Sequence, residues 1–378
     1  MKVGGVQKSL YNLLWSIHAE YEITLLLFRA IGEYSNCLPA NVKVLEVGGL
    51  FRYLGVSQGE CSGSDKLNRG MLAVLCRVFG RSRVMKLLLA SQQTLPGEYD
   101  CAIAFLHNGN VKNFYGGVQD FVLHRVKARK KVAFVHCDYR NCGANHPVNN
   151  QLIGQFDQIA ACSDGCRQAV ASVLPEWEAK CVTVRNCHRF EQIQALALED
   201  PVEYDRSRRN VVMVSRLAHE KGVERAMEAM VYVMGKGIPV ALHIVGSGPM
   251  ELLLRDRASE QKIADSVRFY GEQSNPYRYV KNADLLLMTS YHEAAPMVIE
   301  EAASLGVPVL TVETTSSEDM VTRRGCGWVC ANKQEAINEM LAQVLADPSL
   351  LQTARMRMHG AAMDNTLALE QFTELIEG

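Results

Sequence analysis

The stretch Asp-Leu-Leu-Leu-Met-Thr-Ser-Tyr-His-Glu-Ala-Ala-Pro-Met-Val-Ile-Glu-Glu-Ala-Ala, residues 284–303, decides how the chain is read. An apolar run of strand length, residues 285–288, gives way to polar residues and then to Glu293. Pro296 follows, and after it a helical stretch carrying Glu300 and Glu301. Proline suits the first turn of a helix, where its missing N–H would have had no partner. Glu293 is therefore expected in the loop at the carboxyl end of a buried strand. Glu301 should lie about one and a half turns into the next helix. Between the two carboxylates stand the free N–H groups of a helix N-terminus, which attract a phosphate group. Two carboxylates flanking an anion seat make a binding arrangement. Two surface glutamates at an ordinary strand–helix junction are the plain alternative, since such junctions recur in every doubly wound domain.

Working outward, the same alternation of strand and helix extends to both sides. Strands are expected at residues 211–214, 240–245, 267–270, 284–288 and 307–311, with helices at 222–234 and 249–261. Before them, residues 22–28, 42–47, 102–106, 132–136 and 158–162 have strand character, and 164–174 reads as a helix. Strands alternating with helices indicate parallel sheets with right-handed crossovers. Residues 186–209, polar and rich in arginine, read as a linker, and residues 51–65 as a mobile polar loop. His136 ends one of the strands, where open α/β sheets place their ligand groups. From position alone a structural histidine fits equally well.

The chain has 378 residues, enough for two domains with full cores. The net charge of −1 hides an asymmetry. Residues 1–190 hold 22 Lys and Arg against 14 Asp and Glu, and the remainder 18 against 27. Halves of opposite sign point to two domains with different partners. No apolar run reaches the roughly 20 residues of a membrane-spanning helix, and the start lacks a signal-peptide pattern, so a cytoplasmic chain is expected. Its twelve cysteines should then remain thiols. His136, Cys137, Cys142 and His146 crowd together, but their spacing matches no common zinc pattern, so no metal is expected.

Residues 66–90 read as a basic amphipathic helix or helix pair. Lys66, Arg69, Arg77, Arg81, Arg83 and Lys86 are set among apolar residues with no acid in the span. A second basic cluster spans residues 125–131. Either could be a solvated face, but an all-basic span beside apolar residues suits the surface of an anionic membrane. No nucleic-acid partner is expected.

Five motifs then stand in order: Gly4-Gly5-Val6 before a helix, His136, Val214-Ser215-Arg216-Leu217 with Lys221-Gly222, His243-Ile244-Val245-Gly246-Ser247-Gly248-Pro249 with Tyr270-Gly271, and Glu293 with Glu301. Together they resemble the family 4 (group 1) glycosyltransferases, retaining enzymes with the GT-B fold. The resemblance is strongest over residues 211–312 and weaker over 4–190. It implies an α/β protein of two Rossmann-like domains facing each other across a cleft. The expected boundaries are an acceptor-binding domain at 1–187, a nucleotide-sugar domain at 188–360, and a C-terminal helix at 361–378 packing back on the first domain.

The resemblance also implies roles. Arg216 and Lys221 would stabilise the leaving diphosphate with no metal or other cofactor. Gly5, Gly246 and Gly248 would shape the approach to phosphates and nucleotide, and Tyr270 and Gly271 would border the base. Ala295, Pro296, Met297 and Val298 would stand at the donor. Glu293 would hold donor-sugar hydroxyls, Glu301 the ribose, and His136 would lie beside sugar and acceptor. The implied activity is a retaining hexosyl transfer from a nucleotide sugar, a UDP-sugar in the first instance, to a lipid-linked or growing glycan in cell-surface polysaccharide synthesis. The implied location is the inner face of the cell membrane. A GT-B protein that binds without turnover and a nucleotide-sugar epimerase are the alternatives. The sequence departs from the family pattern at two places. Ala294-Ala295 replaces Gly-Phe, and only Met1-Lys2-Val3 stand where a first strand is expected, which would leave its neighbours unpaired.

Overall fold

The computed structural model describes residues 4–56, 61–111, 114, 116–359 and 363–378. They form two compact units, Met1–Cys187 with Asn365–Gly378, and His188–Asp364.

The second unit is a six-stranded parallel sheet. In chain order its strands follow those of the first unit, β1 (Thr24–Leu27), β2 (Lys43–Glu46), β3 (Tyr99–Ala104), β4 (Ala128–Val135), β5 (Gln158–Ala161) and β6 (Cys181–Thr183). They are β7 (Arg209–Val214), β8 (Val240–Val245), β9 (Val267–Phe269), β10 (Leu285–Met288), β11 (Val309–Val312) and β12 (Gly327–Cys330). The strand order is β12-β11-β10-β7-β8-β9. All six residues of β8 and all four of β10 are buried. That suits a parallel sheet covered on both faces, which reads as continuous apolar runs. The helix Val223–Gly235 shows how one face is covered. Its residues Val223, Ala226, Met227, Met230 and Val233 recur at helical spacing and are buried against Val211, Leu242 and Ile244. Truncating such a core residue to alanine costs about 2 to 5 kcal/mol.

Strands β7, β8 and β9 run outward from β7 in one direction, and β10, β11 and β12 in the other. The order therefore reverses between β7 and β10, which are adjacent and paired, Leu285 with Val211 and Leu286 with Val212. Loops leaving the carboxyl ends of two such strands diverge and open a crevice, where ligands of open α/β sheets bind.

In the first unit the described strands form two separate parallel sheets, β1-β2 and β3-β4-β5-β6. No strand joins them among the described residues, and Met1-Lys2-Val3 lie outside these. The helix Thr366–Glu377 belongs to this unit. Its Gln371 accepts a hydrogen bond from the Arg185 N–H at 3.1 Å, and its Phe372 meets Tyr21 edge to face at 6.3 Å.

Three sequence expectations need correction. Residues 51–56 are core rather than loop: Phe51, Tyr53, Leu54 and Val56 are buried in a 3₁₀ segment, Gly49–Gly55, and its immediate continuation. Residues 57–60 of that expected loop lie outside the described residues. The expected linker contains a helix, Phe190–Leu198, which buries Ile193 and Ala197 against the second unit's sheet. The basic span is indeed a helix pair, Gly63–Phe79 and Arg81–Ala90. Two of its cations point inward: Arg69 is 8% exposed and donates from Nε to the Val56 carbonyl at 2.9 Å, and burial lowers the pKa of Arg81.

Candidate functional site

Four loops leave the carboxyl ends of β7, β8, β9 and β10, and with the helix after β10 they carry the expected residues of the second unit. After β7 the backbone turns through Ser215 and Arg216, with the Leu217 N–H donating to the Ser247 carbonyl at 2.8 Å. The Arg216 side chain is exposed and ion-paired with Glu220. Lys221 ends a 3₁₀ turn, His219–Lys221, and Gly222 then caps the helix Val223–Gly235. The carbonyl of Gly222 accepts the Thr289 hydroxyl at 2.7 Å, which ties this loop to the end of β10.

The two loops meet at a charged pair. Lys221 Nζ lies 2.6 Å from Glu293 Oε1, with the side chains 24% and 11% exposed. One group follows β7 and the other follows β10, so the pair spans the point where the strand order reverses. An ion pair that is mostly withdrawn from water is stabilising only while both partners remain, because either charge alone is left desolvated.

Gly246 and Gly248 are required by close backbone contact. Gly246 has φ +139, and a Cβ there would lie 1.9 Å from the Ser215 carbonyl oxygen. At Gly248 it would lie 2.3 Å from that of Leu217. The loops after β7 and β8 are thus pressed together backbone on backbone. The Gly246 N–H also donates to the Gly271 carbonyl at 2.7 Å, which brings in the loop after β9. Tyr270 packs inward: its hydroxyl donates to His243 Nδ1 at 3.0 Å. The donor there is fixed, because His243 Nε2 faces the acceptor oxygen of Asn210 at 3.1 Å and so carries the ring's proton. Burial lowers the His243 pKa to about 4.

After Glu293 the chain passes Ala294 and Ala295 to Pro296, which is the N-cap of the helix Met297–Ser304 rather than a residue of its first turn. The Met297 side chain is buried and Val298 packs against the core, so this segment offers a ligand its backbone. Glu301 is 4% exposed, in the second turn of that helix. A surface glutamate is excluded for Glu301, and Glu293 is mostly covered.

Sequence reasoning did not single out a set of hydroxyls at the carboxyl edge of the same sheet. The side-chain oxygens of Ser215 after β7, Ser290 after β10, and Thr314 and Ser316 after β11 are buried with no hydrogen-bond partner among the described residues. Ser290 and Ser316 are each 1% exposed. Buried polar groups are almost always satisfied, so several orphans at one edge of one sheet mark a place where something else supplies the bond. Small polar residues after apolar runs were the available signal, and they read as ordinary turn chemistry.

The expected residues of the first unit lie at its own helix and strand ends. Gly5 opens the helix Gly5–Ile17, and nothing stands within 4 Å of where a Cβ would be. The fold therefore does not itself demand glycine there. The His136 ring stacks on Phe134, with centroids 4.5 Å apart, and lies 4.7 Å from Phe105. Burial, and then the neighbouring His107, lower its pKa to about 3, so the ring is neutral, and its Nε2 has no hydrogen-bond partner among the described residues.

Comparison with known proteins points to one family of enzymes. The family model for glycosyl transferases group 1 matches residues 199–362. A glycogen synthase from Mycobacterium tuberculosis is 25% identical over 213 residues, 55% of this chain and 50% of the relative. The lipopolysaccharide glucosyltransferase WaaG from Escherichia coli K12 is 28% identical over 162 residues, 42% of this chain and 43% of the relative. The chain thus matches about half the length, or less, of these curated relatives. Among solved structures, Anabaena HepE in complex with UDP superposes with a TM-score of 0.65 at 15% identity, covering 99% of this chain and 96% of HepE. That likeness extends the fold assignment over both units: they are the two Rossmann-like domains of a GT-B protein. The segment that the family model matches, residues 199–362, is thus similar to the group 1 glycosyl transferases.

Proposed function

We propose that the protein is a retaining glycosyltransferase that moves a hexose from a UDP-sugar to a lipid-linked or growing glycan of a cell-surface polysaccharide. The observation that carries this reading is the Lys221–Glu293 pair at the switch point, with the Arg216 guanidinium exposed beside it in the same loop. In the transfer the bond between the sugar's anomeric carbon and the diphosphate oxygen breaks, and negative charge develops on that oxygen. Lys221 and Arg216 stabilise it as fixed cations in a partly desolvated site, which supplies what a metal would otherwise supply. Lys221 turns from Glu293 to the phosphates, and Glu293 then accepts from donor-sugar hydroxyls. Glu301 holds the ribose, and the unsatisfied Ser215, Ser290 and Ser316 hydroxyls complete the polar contacts. HepE is a GT-B neighbour solved with UDP, which supports the uridine choice.

In the first unit, Gly5 has open space where a Cβ would stand, and the neutral His136 offers a hydrogen bond rather than a charge. Retention follows if the acceptor attacks from the leaving-group side, with the departing diphosphate taking the acceptor's proton. A second reading, nucleotide binding without turnover, draws on the two separate sheets that the described residues of the first unit form.

The partner surface is an anionic membrane. On the helix Gly63–Phe79, Leu67, Met71, Val74 and Val78 are 76%, 48%, 60% and 66% exposed. Their spacing of four, three and four residues sets them in one stripe. Phe79 and, on the helix Arg81–Ala90, Leu87 are exposed as well, and so are the cations Lys66, Arg77, Arg83 and Lys86. An apolar stripe with flanking cations seats in a headgroup layer of negative charge. Among the described residues no helix is long and apolar enough to cross a membrane.

The deciding experiment incubates the protein with labelled UDP-sugars. Slow donor hydrolysis or transfer supports the transferase, isomerised donor means an epimerase, and tight binding without reaction supports the second reading.

A further inference from the structure

Three residues of the first unit that take no part in the proposed transfer meet at one point. His107 lies three residues beyond β3, Cys137 two residues beyond β4, and Cys142 five residues further along. β3 and β4 are paired neighbours, Ala104 with Ala133, so all three residues sit at the carboxyl ends of two adjacent strands. One ring nitrogen of His107 and the two Sγ atoms lie within 4.8 Å of one another. Around a tetrahedral Zn²⁺, with Zn–S about 2.3 Å and Zn–N about 2.0 to 2.1 Å, donor atoms stand roughly 3.5 to 3.8 Å apart. A contraction of about 1 Å would therefore bring the three into a first coordination shell.

We propose that His107, Cys137 and Cys142 bind one thiophilic divalent cation, Zn²⁺, through an imidazole and two thiolates. His107 and Cys137 are partly buried and Cys142 is exposed, so the fourth position opens to solvent and the ion has a way in. Two cysteines, one histidine and an open position form a ligand set that zinc accepts. On binding, both thiol protons leave to solvent and the two thiolates balance the charge of the ion. The His136 N–H donates to His107 Nδ1 at 3.3 Å. Coordination through either ring nitrogen gives up that long hydrogen bond, together with the hydrogen bonds that link the two thiols and His107, and gains three metal–ligand bonds. The Cys162–Cys166 pair, with sulfurs 4.0 Å apart, is buried nearby and stays outside this set.

The competing chemistry is a disulfide between Cys137 and Cys142, but it has no use for the histidine that converges with them. A bound ion would pin the stretch after β4 to the end of β3 and so fix the backbone at His136. That role is positional and does not depend on which sugar reaction the protein performs.

The test is an anaerobic titration of the reduced, metal-free full chain with Co²⁺, which reports thiolate ligation as a near-ultraviolet charge-transfer band. One equivalent should saturate the band, and Zn²⁺ should displace it. Cys137→Ser, Cys142→Ser and His107→Gln should each weaken Co²⁺ binding at least tenfold, since even groups behind metal ligands are worth about that much. Cys330→Ser, in the other unit, should change nothing. Far-UV circular dichroism checks each fold, and the exposed Cys142 gives a variant with little to lose structurally. The absence of a thiolate band in the wild-type chain overturns the proposal. So does a band unchanged in all three ligand variants, or fresh protein in which a Cys137–Cys142 disulfide is present and Co²⁺ does not bind.

Discussion

The ammonium of Lys221 lies 2.6 Å from the carboxylate of Glu293, across the point where the strand order of the second unit reverses. Seventy-two residues separate the two in sequence, and each follows a different strand. The pair links folding and chemistry, because each residue shields the other's charge until a donor takes one of them away. Lys221→Ala should leave Glu293 desolvated and alone, at a stability cost of about 1 to 3 kcal/mol. It should also lower turnover about a hundredfold. Adding Glu293→Gln should restore much of the stability and none of the activity. Chemical denaturation and donor-hydrolysis rates on the two single variants and the double variant check this. Recovery of activity in the double variant would place the chemistry elsewhere.

The orphan hydroxyls make a prediction of opposite sign. Ser290→Ala loses no hydrogen bond within the described residues, so the fold should be unchanged or more stable by up to about 1 kcal/mol. Binding of UDP should weaken by about three- to tenfold, the equivalent of about 1 kcal/mol. Isothermal titration with UDP alongside thermal melting separates the two effects. Destabilisation with unaltered UDP affinity would make Ser290 purely structural.

The exposed stripe predicts salt-sensitive binding to anionic vesicles. Replacing Arg77, Arg83 and Lys86 by glutamate should abolish that binding and spare donor hydrolysis. Arg81 is omitted because it is held in the fold, and its replacement would disturb the structure. Leu67→Ser with Val78→Ser should weaken vesicle binding at every ionic strength, since it acts on the apolar contribution. Equal sedimentation of wild type and variants with anionic vesicles would rule out this face.

His243 sets a pH dependence within the second unit. Burial holds its folded-state pKa near 4, against about 6.5 in an unfolded chain. Between those values the unfolded chain binds the extra proton, so stability falls as pH drops from about 6.5 to about 4. The full loss from this residue is about 3 kcal/mol. His243→Gln should flatten that part of the curve, at the expense of the Tyr270 and Asn210 hydrogen bonds. Urea unfolding followed at several pH values tests it, and an unchanged slope in the variant would assign the dependence to other groups.

The fold was legible wherever apolar runs were bounded by turn residues, because a doubly covered parallel sheet leaves few other ways to place residues 240–245 or 285–288. Glu293 and Lys221 were legible one at a time from a resemblance. Their contact was not, because no local pattern states that the loops after β7 and β10 adjoin. His107 escaped for the same reason: it has no metal-ligand spacing to Cys137 until β3 and β4 are known to be neighbours. The buried arginines are a different case. Arg69 stands three residues before Leu72, which is 1% exposed, so helical spacing puts the cation on the inward face. A count of charges over residues 66–90 averages that difference away. Residues 51–56 misled through their glycine-rich surroundings, while their own aromatic and branched side chains carried the core signal.

The helix Thr366–Glu377 completes the first unit with residues that follow the entire second unit in the chain. During synthesis from the amino end, the second unit can therefore emerge whole while the first still lacks the partner of Tyr21 and of the Arg185 N–H. The unit that carries Gly5 and His136 is the last to be completed, and a ribosome stalled anywhere in residues 188–364 holds a nascent chain whose first unit still lacks that helix.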